Sequence, residues 1–139
     1  MEYRYLFKAK FDDSDRWAKG QLVEVNDTYL IIPNHASKIL AGWFSTSNII
    51  EVKKDTICQC TGLKDKNGKL IWENDILVGY LDDMYPENAT YAQVIWDKNG
   101  FYTKEQYSDD ISLMDEFDEK HFEVCGNIFD NPELLEVGE

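Results

Sequence analysis

Every apolar run in this chain is too short to be a helix. Ten such runs punctuate the 139 residues. Tyr3–Phe11, Gln21–Val25, Tyr29–Ile32, Asn48–Val52 and Thr56–Cys60 lie in the first half, and Leu70–Trp72, Ile76–Leu81, Tyr91–Trp96, Phe101–Thr103 and Phe122–Phe129 in the second. None reaches the roughly ten to twelve residues of an amphipathic helix, and many are rich in Val, Ile and aromatics, which suit a pleated, half-buried surface. Tyr3, Tyr5 and Phe7 alternate with Arg4, Leu6 and Lys8, the period-two pattern of a strand with one buried face. Two segments read as helical: Ser108–Glu119, with Ile111, Met114 and Phe117 at spacings of three behind a Ser108 cap, and Asn131–Leu135, with Pro132 at the first helical position.

The chain is therefore expected to be mainly β. Short strands joined by tight turns curl into small barrels or sandwiches. The C-terminal half reads as a small antiparallel SH3-like barrel, with further strands from the N-terminal half and one or two short helices. A single domain over 1–139 is expected, with subdomains at 1–55 and 56–139. The stretch Leu81–Thr90 reads as its flexible loop.

Asp65-Lys-Asn-Gly68 recurs as Asp97-Lys-Asn-Gly100. Asp first and Gly fourth fit a type I turn closed by a left-handed glycine, so each copy predicts a hairpin. On that reading, valine at Gly68 or Gly100 would meet a positive φ and weaken the turn. A calcium loop of the EF-hand type requires Gly at the sixth position and flanking helices, and neither is present.

Charge is unevenly placed. The net charge is −13, and residues 1–81 are neutral, so all of it falls on 82–139. The densest stretch runs through Asp109, Asp110, Asp115, Glu116, Asp118 and Glu119, a face that either solubilises the chain or meets a basic partner. Such a balance excludes the basic footprint of a nucleic-acid binder. No run of about 18 apolar residues is present, so no transmembrane helix is expected, and without an apolar signal core the chain reads as cytoplasmic.

Three cysteines, Cys58, Cys60 and Cys125, are an odd count that suits a reducing compartment. Cys58 and Cys60 fall on one face of a strand, where small buried thiols are the plain reading, and their spacing is not that of a zinc site. His35 and His121 are the natural acid–base candidates near neutral pH. Neither has a nucleophile at triad spacing, and no phosphate loop or dinucleotide fingerprint occurs. The paired acids Asp12-Asp13, Asp82-Asp83 and Asp109-Asp110 read as solvated. No catalytic activity, metal or cofactor is expected.

Two motifs resemble the YopX family, small proteins carried by phages and prophages of Gram-positive bacteria. Gln59-Cys-Thr-Gly-Leu-Lys-Asp-Lys-Asn-Gly-Lys-Leu-Ile-Trp-Glu-Asn-Asp-Ile76 is similar to the family pattern Q-Y-T-G-L-K-D-K-N-G-K-x-I-Y-E-G-D-I. Glu123-Val-Cys-Gly-Asn-Ile-Phe-Asp-Asn-Pro-Glu-Leu-Leu135 is similar to the family ending E-V-I-G-N-I-Y-E-N-P-E-L-L. Cys60 stands where the family has an aromatic residue, and Asn74 where it has Gly; residues 1–55 match weakly. The resemblance implies a mostly β, phage-derived, oligomeric protein of the bacterial cytoplasm, and implies no reaction. The motif residues read as structural turn formers: Gly62, Gly68, Gly100 and Gly126 for special backbone geometry, Asn67, Asn99 and Asn127 for turns, and Asp65, Asp75 and Asp97 as acceptors for turn N–H groups.

Three functions follow as expectations. The first is a non-catalytic module that binds a host or phage protein or assembles with itself, using some of its four tryptophans (Trp17, Trp43, Trp72, Trp96) at interfaces. The second is an acidic mimic that occupies a host nucleic-acid-binding protein. The third, direct nucleic-acid binding, is disfavoured by the charge.

Overall fold

A computed structural model describes residues 5–33, 49–80 and 89–136, and the chain divides into two compact units, Met1–Cys60 and Thr61–Glu139. His35, Trp43 and the Leu81–Asn88 part of the expected flexible loop lie outside the described residues. Among those described, no helix is long and apolar enough to cross a membrane.

The first unit is an antiparallel sheet. Its strands are β1 (Phe7–Lys10), β2 (Trp17–Val25), β3 (Thr28–Pro33), β4 (Ile50–Glu51) and the start of β5 (Cys58–Lys64), in the order β4-β3-β2-β1-β5. The β2–β3 hairpin turns on Asn26 and Asp27, both left-handed (φ 49° and 66°). Asn and Asp tolerate that region, and a turn with two such residues matches the twist of its strands. Ala9, Ala18, Ile31 and Val52 form the core, with Phe11, Leu22, Tyr29, Ile50 and Ile57 packed around it. Cys58 and Cys60 are buried thiols on one face of β5, as the spacing predicted. Trp17 is half-buried, with the Lys8 and Lys10 ammonium groups 4.7 and 5.5 Å from its ring centre.

The second unit begins where β5 runs on into a hairpin with β6 (Leu70–Trp72). Then follow β7 (Asp75–Tyr80), β8 (Ala89–Asp97), β9 (Gly100–Glu105), β10 (Ile111–Leu113), α1 (Glu116–His121) and β11 (Phe122–Asn127). The last five strands form an antiparallel sheet in the order β10-β9-β8-β7-β11. Ile71, Leu77, Val94 and Met114 make its core, joined by Leu63, Phe101, Phe122 and Val124. The mainly β expectation holds for both units. The order of the second sheet is linear, and no ladder among the described residues joins β10 to β11, so a closed SH3-like barrel is not part of the observed pairing.

Two local expectations are corrected. Residues 108–119 are not one helix: Ile111–Leu113 pairs with β9, and the helix starts only at Glu116. Its cap is Asp115, not Ser108. The Asp115 carboxylate accepts from Phe117 N–H (2.9 Å), and Asp118 accepts from Asp115 N–H (2.9 Å), a reciprocal box that fixes the start of the helix. Ser108 instead accepts from Asp110 N–H in a local turn. The two Asp-Lys-Asn-Gly copies also differ. Gly68 is left-handed (φ 84°), but in the second copy Lys98 is (φ 55°), and Gly100 opens β9 paired with Asp97. The second loop is only two residues long, so the left-handed position falls one place after the aspartate rather than three. Pro132–Leu135 forms one 3₁₀ turn with the proline first, as its sequence implied.

Candidate functional site

The motif residues converge on a backbone-holding network in the second unit. Asp65 is buried. Its Oδ1 accepts from the N–H groups of Asn67 and Lys69 (both 2.9 Å), and its Oδ2 from Val124 N–H (2.9 Å). Burial alone would push this carboxyl up. The N–H groups of Val124, Lys69 and Asn67, with the Lys69 charge, outweigh it and hold the group below the usual carboxylate range. Asn67 reaches the same strand, donating to Glu123 Oε2 (2.8 Å). Asp75, almost wholly buried, accepts from Trp72 N–H (2.8 Å) across the β6–β7 turn. Asn74 takes the left-handed position there (φ 71°), so asparagine does serve where the family carries glycine.

A second turn closes β11. Asn127 Oδ1 accepts from Phe129 and Asp130 N–H (both 2.9 Å), and Asn131 Oδ1 lies 3.3 Å from Asn127 N. Gly126 is needed for space rather than for φ: a Cβ there would sit 2.5 Å from Asn131 Oδ1. Gly62 is left-handed (φ 86°). The side-chain bonds of Asp65 have no counterpart at Asp97 or Asn99 in the described structure. The carboxylates of Asp65 and Asp75 and the amide of Asn127 hold backbone N–H groups in place.

The acidic stretch divides. Asp109, Asp110, Asp115 and Glu116 are exposed. Asp118 is buried in the capping box, where burial and the Asp115 charge raise its carboxyl despite the Asp115 N–H. Glu119 is half-buried and accepts from Lys64 N–H (3.1 Å). The six acids do not form one uniform face.

The structure adds an apolar component that the charge pattern hid. Ile111 and Leu113 are 36% and 62% exposed on one face of β10, Phe117 is 60% exposed on α1, and Trp96 is 48% exposed beside Phe101. On the β9–β10 register Leu113 lies opposite Tyr102, and Tyr102 lies opposite Ile95. An apolar row thus crosses three strands and ends at the edge of the sheet. The alternation in Ile111-Ser112-Leu113 was the available signal, and the helical spacing of Ile111, Met114 and Phe117 obscured it. Met114 points the other way, into the core. His121 is exposed, its ring centre 4.1 Å from that of Phe117.

The YopX protein family model matches residues 6–136, nearly the whole chain. The chain belongs to the YopX family. No curated protein matches it. Among solved structures, this YopX-family chain is similar to protein EF1440 from Enterococcus faecalis, with 24% identity, a TM-score of 0.56, and coverage of 94% of this chain and 96% of that one. At that identity the likeness speaks to the fold alone. Most of the weakly matching residues 1–55 fall inside the family match, so the relationship seen in the two motifs extends into the first unit.

Proposed function

We propose that this YopX-family chain is a non-catalytic, protein-binding β module of phage origin that works in the bacterial cytoplasm, using the β8–β10 edge of its second unit. One observation carries the reading: Ile111 and Leu113 are 36% and 62% exposed on one face of β10, the edge strand, in line with Tyr102 and Ile95. Exposed apolar side chains on an edge strand, flanked in sequence by the exposed acids Asp109, Asp110, Asp115 and Glu116, match the mixed apolar and polar composition of a protein interface. Self-assembly, which the family resemblance implies, belongs to the same reading.

The acidic-mimic reading is weaker. A phosphate mimic needs a run of free carboxylates, whereas Asp118 and Glu119 are engaged with backbone N–H groups, and apolar side chains separate the others.

The test is capture from nuclease-treated Gram-positive lysate by the tagged chain, with light scattering to read its own assembly. A partner kept by the wild type and by Val25→Asp, but lost by Leu113→Asp, supports the reading. Capture of nothing together with no self-assembly in light scattering, or equal capture by both variants, would overturn it.

A further inference from the structure

The two edges of the second sheet are finished differently. β11 is covered: Lys66 N–H donates to the Phe122 carbonyl (3.0 Å), and Val124 N–H donates to Asp65 (2.9 Å). β10 is not. Met114 N–H bonds to the Phe101 carbonyl (3.1 Å), and Ser112 lies opposite Thr103. Antiparallel positions alternate between bonded and non-bonded pairs, so Ser112 faces β9 while the N–H and C=O groups of Ile111 and Leu113 point away from it. No described residue bonds to those four groups. An edge strand with unpaired backbone groups is a template for another strand.

We propose that β10 accepts an added strand from a protein partner, an extended segment with apolar side chains at alternate positions and Lys or Arg at both ends. This rests on the protein-binding reading above and names its mode. The apolar positions follow from Ile111 and Leu113, which share one face and continue the Ile95–Tyr102–Leu113 row to the edge. The basic ends follow from charge. Exposed Asp109 and Asp110 precede the strand, and exposed Asp115 and Glu116 follow it. A second copy of the chain, paired antiparallel about Ser112, would set Asp109 opposite Asp115, carboxylate against carboxylate, which is destabilising. The same acids that discourage self-pairing attract a basic strand. Backbone bonds would supply affinity, the apolar positions register, and the charges selectivity.

The probe is the peptide Lys-Lys-Thr-Val-Thr-Val-Thr-Lys-Lys, with the same peptide carrying Glu for Lys as control, added to the full chain. Amide hydrogen exchange is followed by NMR. The basic peptide is expected to slow exchange at Ile111 and Leu113 by about tenfold or more, since pairing closes exposed N–H groups, while Val124 is unchanged. Its affinity should fall as salt rises. Leu113→Pro deletes an N–H that faces away from β9, so the sheet should survive while the peptide effect disappears. The triple change Asp109→Asn, Asp110→Asn and Glu116→Gln, which leaves the edge backbone untouched, should weaken binding and flatten its salt dependence. The proposal is overturned by unchanged exchange at both amides with saturating basic peptide, or by equal action of the acidic peptide. It is also overturned if slowing appears on raising the protein concentration alone, which would make a second copy the occupant. If a lysate partner depends on Leu113 while the peptide leaves both amides unprotected, strand addition falls and the protein-binding reading stands.

Discussion

Asp65 and Val124 are joined by a 2.9 Å hydrogen bond from the Val124 N–H to Asp65 Oδ2, which ties a tight turn to a strand 59 residues further along the chain. Because Oδ1 of the same carboxylate already holds Asn67 and Lys69, one side chain fixes both the shape of the turn and the position of β11.

That double use makes Asp65 difficult to replace. Asparagine offers one carbonyl oxygen, so it can serve the turn or Val124, not both, and its NH₂ would face a donor. Asp65→Asn is expected to cost about 1–3 kcal/mol, the range for a buried donor left unsatisfied, and Asp65→Ala more. The acid dependence should change as well. A carboxyl lowered on folding contributes stability above its unfolded pKa, near 3.8, and loses that contribution as pH falls through the lower folded value. Urea denaturation across the acid range should show a shallower loss of stability in Asp65→Asn than in the wild type.

The repeated tetrapeptide gives an asymmetric pair of mutants. At Gly68 the backbone is left-handed (φ 84°), so Gly68→Val should cost about 1–2 kcal/mol. Gly100 is not left-handed, and a Cβ there would meet Leu113 Cδ1 at 3.5 Å and Tyr102 Cε1 at 3.7 Å, ordinary contacts. Gly100→Val should therefore change the melting temperature little. Equal losses at both positions would show that the two turns share one geometry after all.

The same pair shows what could be read in advance. The hairpins were legible because Asp, Asn and Gly have strong local preferences. The position of the left-handed residue was not, because it depends on loop length, which the strand register sets. The strand runs were legible for a similar reason: alternation at Ala92 and Val94 in β8 is a local signal of burial. Residues 108–119 misled because Ile111, Met114 and Phe117 satisfy a helical spacing, while Asp115 and Asp118 form a cap only four residues before the end of that stretch. Pairing with β9 then decides the strand. The role of Asp65 as a tie to β11 was invisible, since a contact 59 residues away leaves no local trace.

The tryptophans should separate by burial. Trp72 is 4% exposed, and Trp72→Ala is expected to cost about 3–5 kcal/mol, as large-to-small core changes do. Trp96, 48% exposed beside Phe101, should cost much less. Trp17 lies between them: half-buried under Lys8 and Lys10, it should lose stability chiefly through packing and cation–π contact. Trp17→Phe, which keeps an aromatic face, should recover part of that loss. Calorimetry of the four variants gives the order directly.

The helix cap provides a pH dependence of opposite sign to that of Asp65. Burial and the neighbouring Asp115 charge raise the Asp118 carboxyl, against the pull of the Asp115 N–H. A carboxyl raised on folding adds stability when it is protonated and loses it as pH rises through the folded value. Asparagine at 118 can still accept the Asp115 N–H and carries no charge to desolvate. Asp118→Asn is thus expected to match or exceed the wild type near neutral pH, with the advantage shrinking as pH falls toward 3.8 and below. Asp115→Ala should behave differently, losing about 1 kcal/mol because the acceptor for Phe117 N–H is gone. If Asp118→Asn were as damaging as Asp115→Ala at neutral pH, the charge of Asp118, and not only its oxygen, would have to be what holds the start of α1.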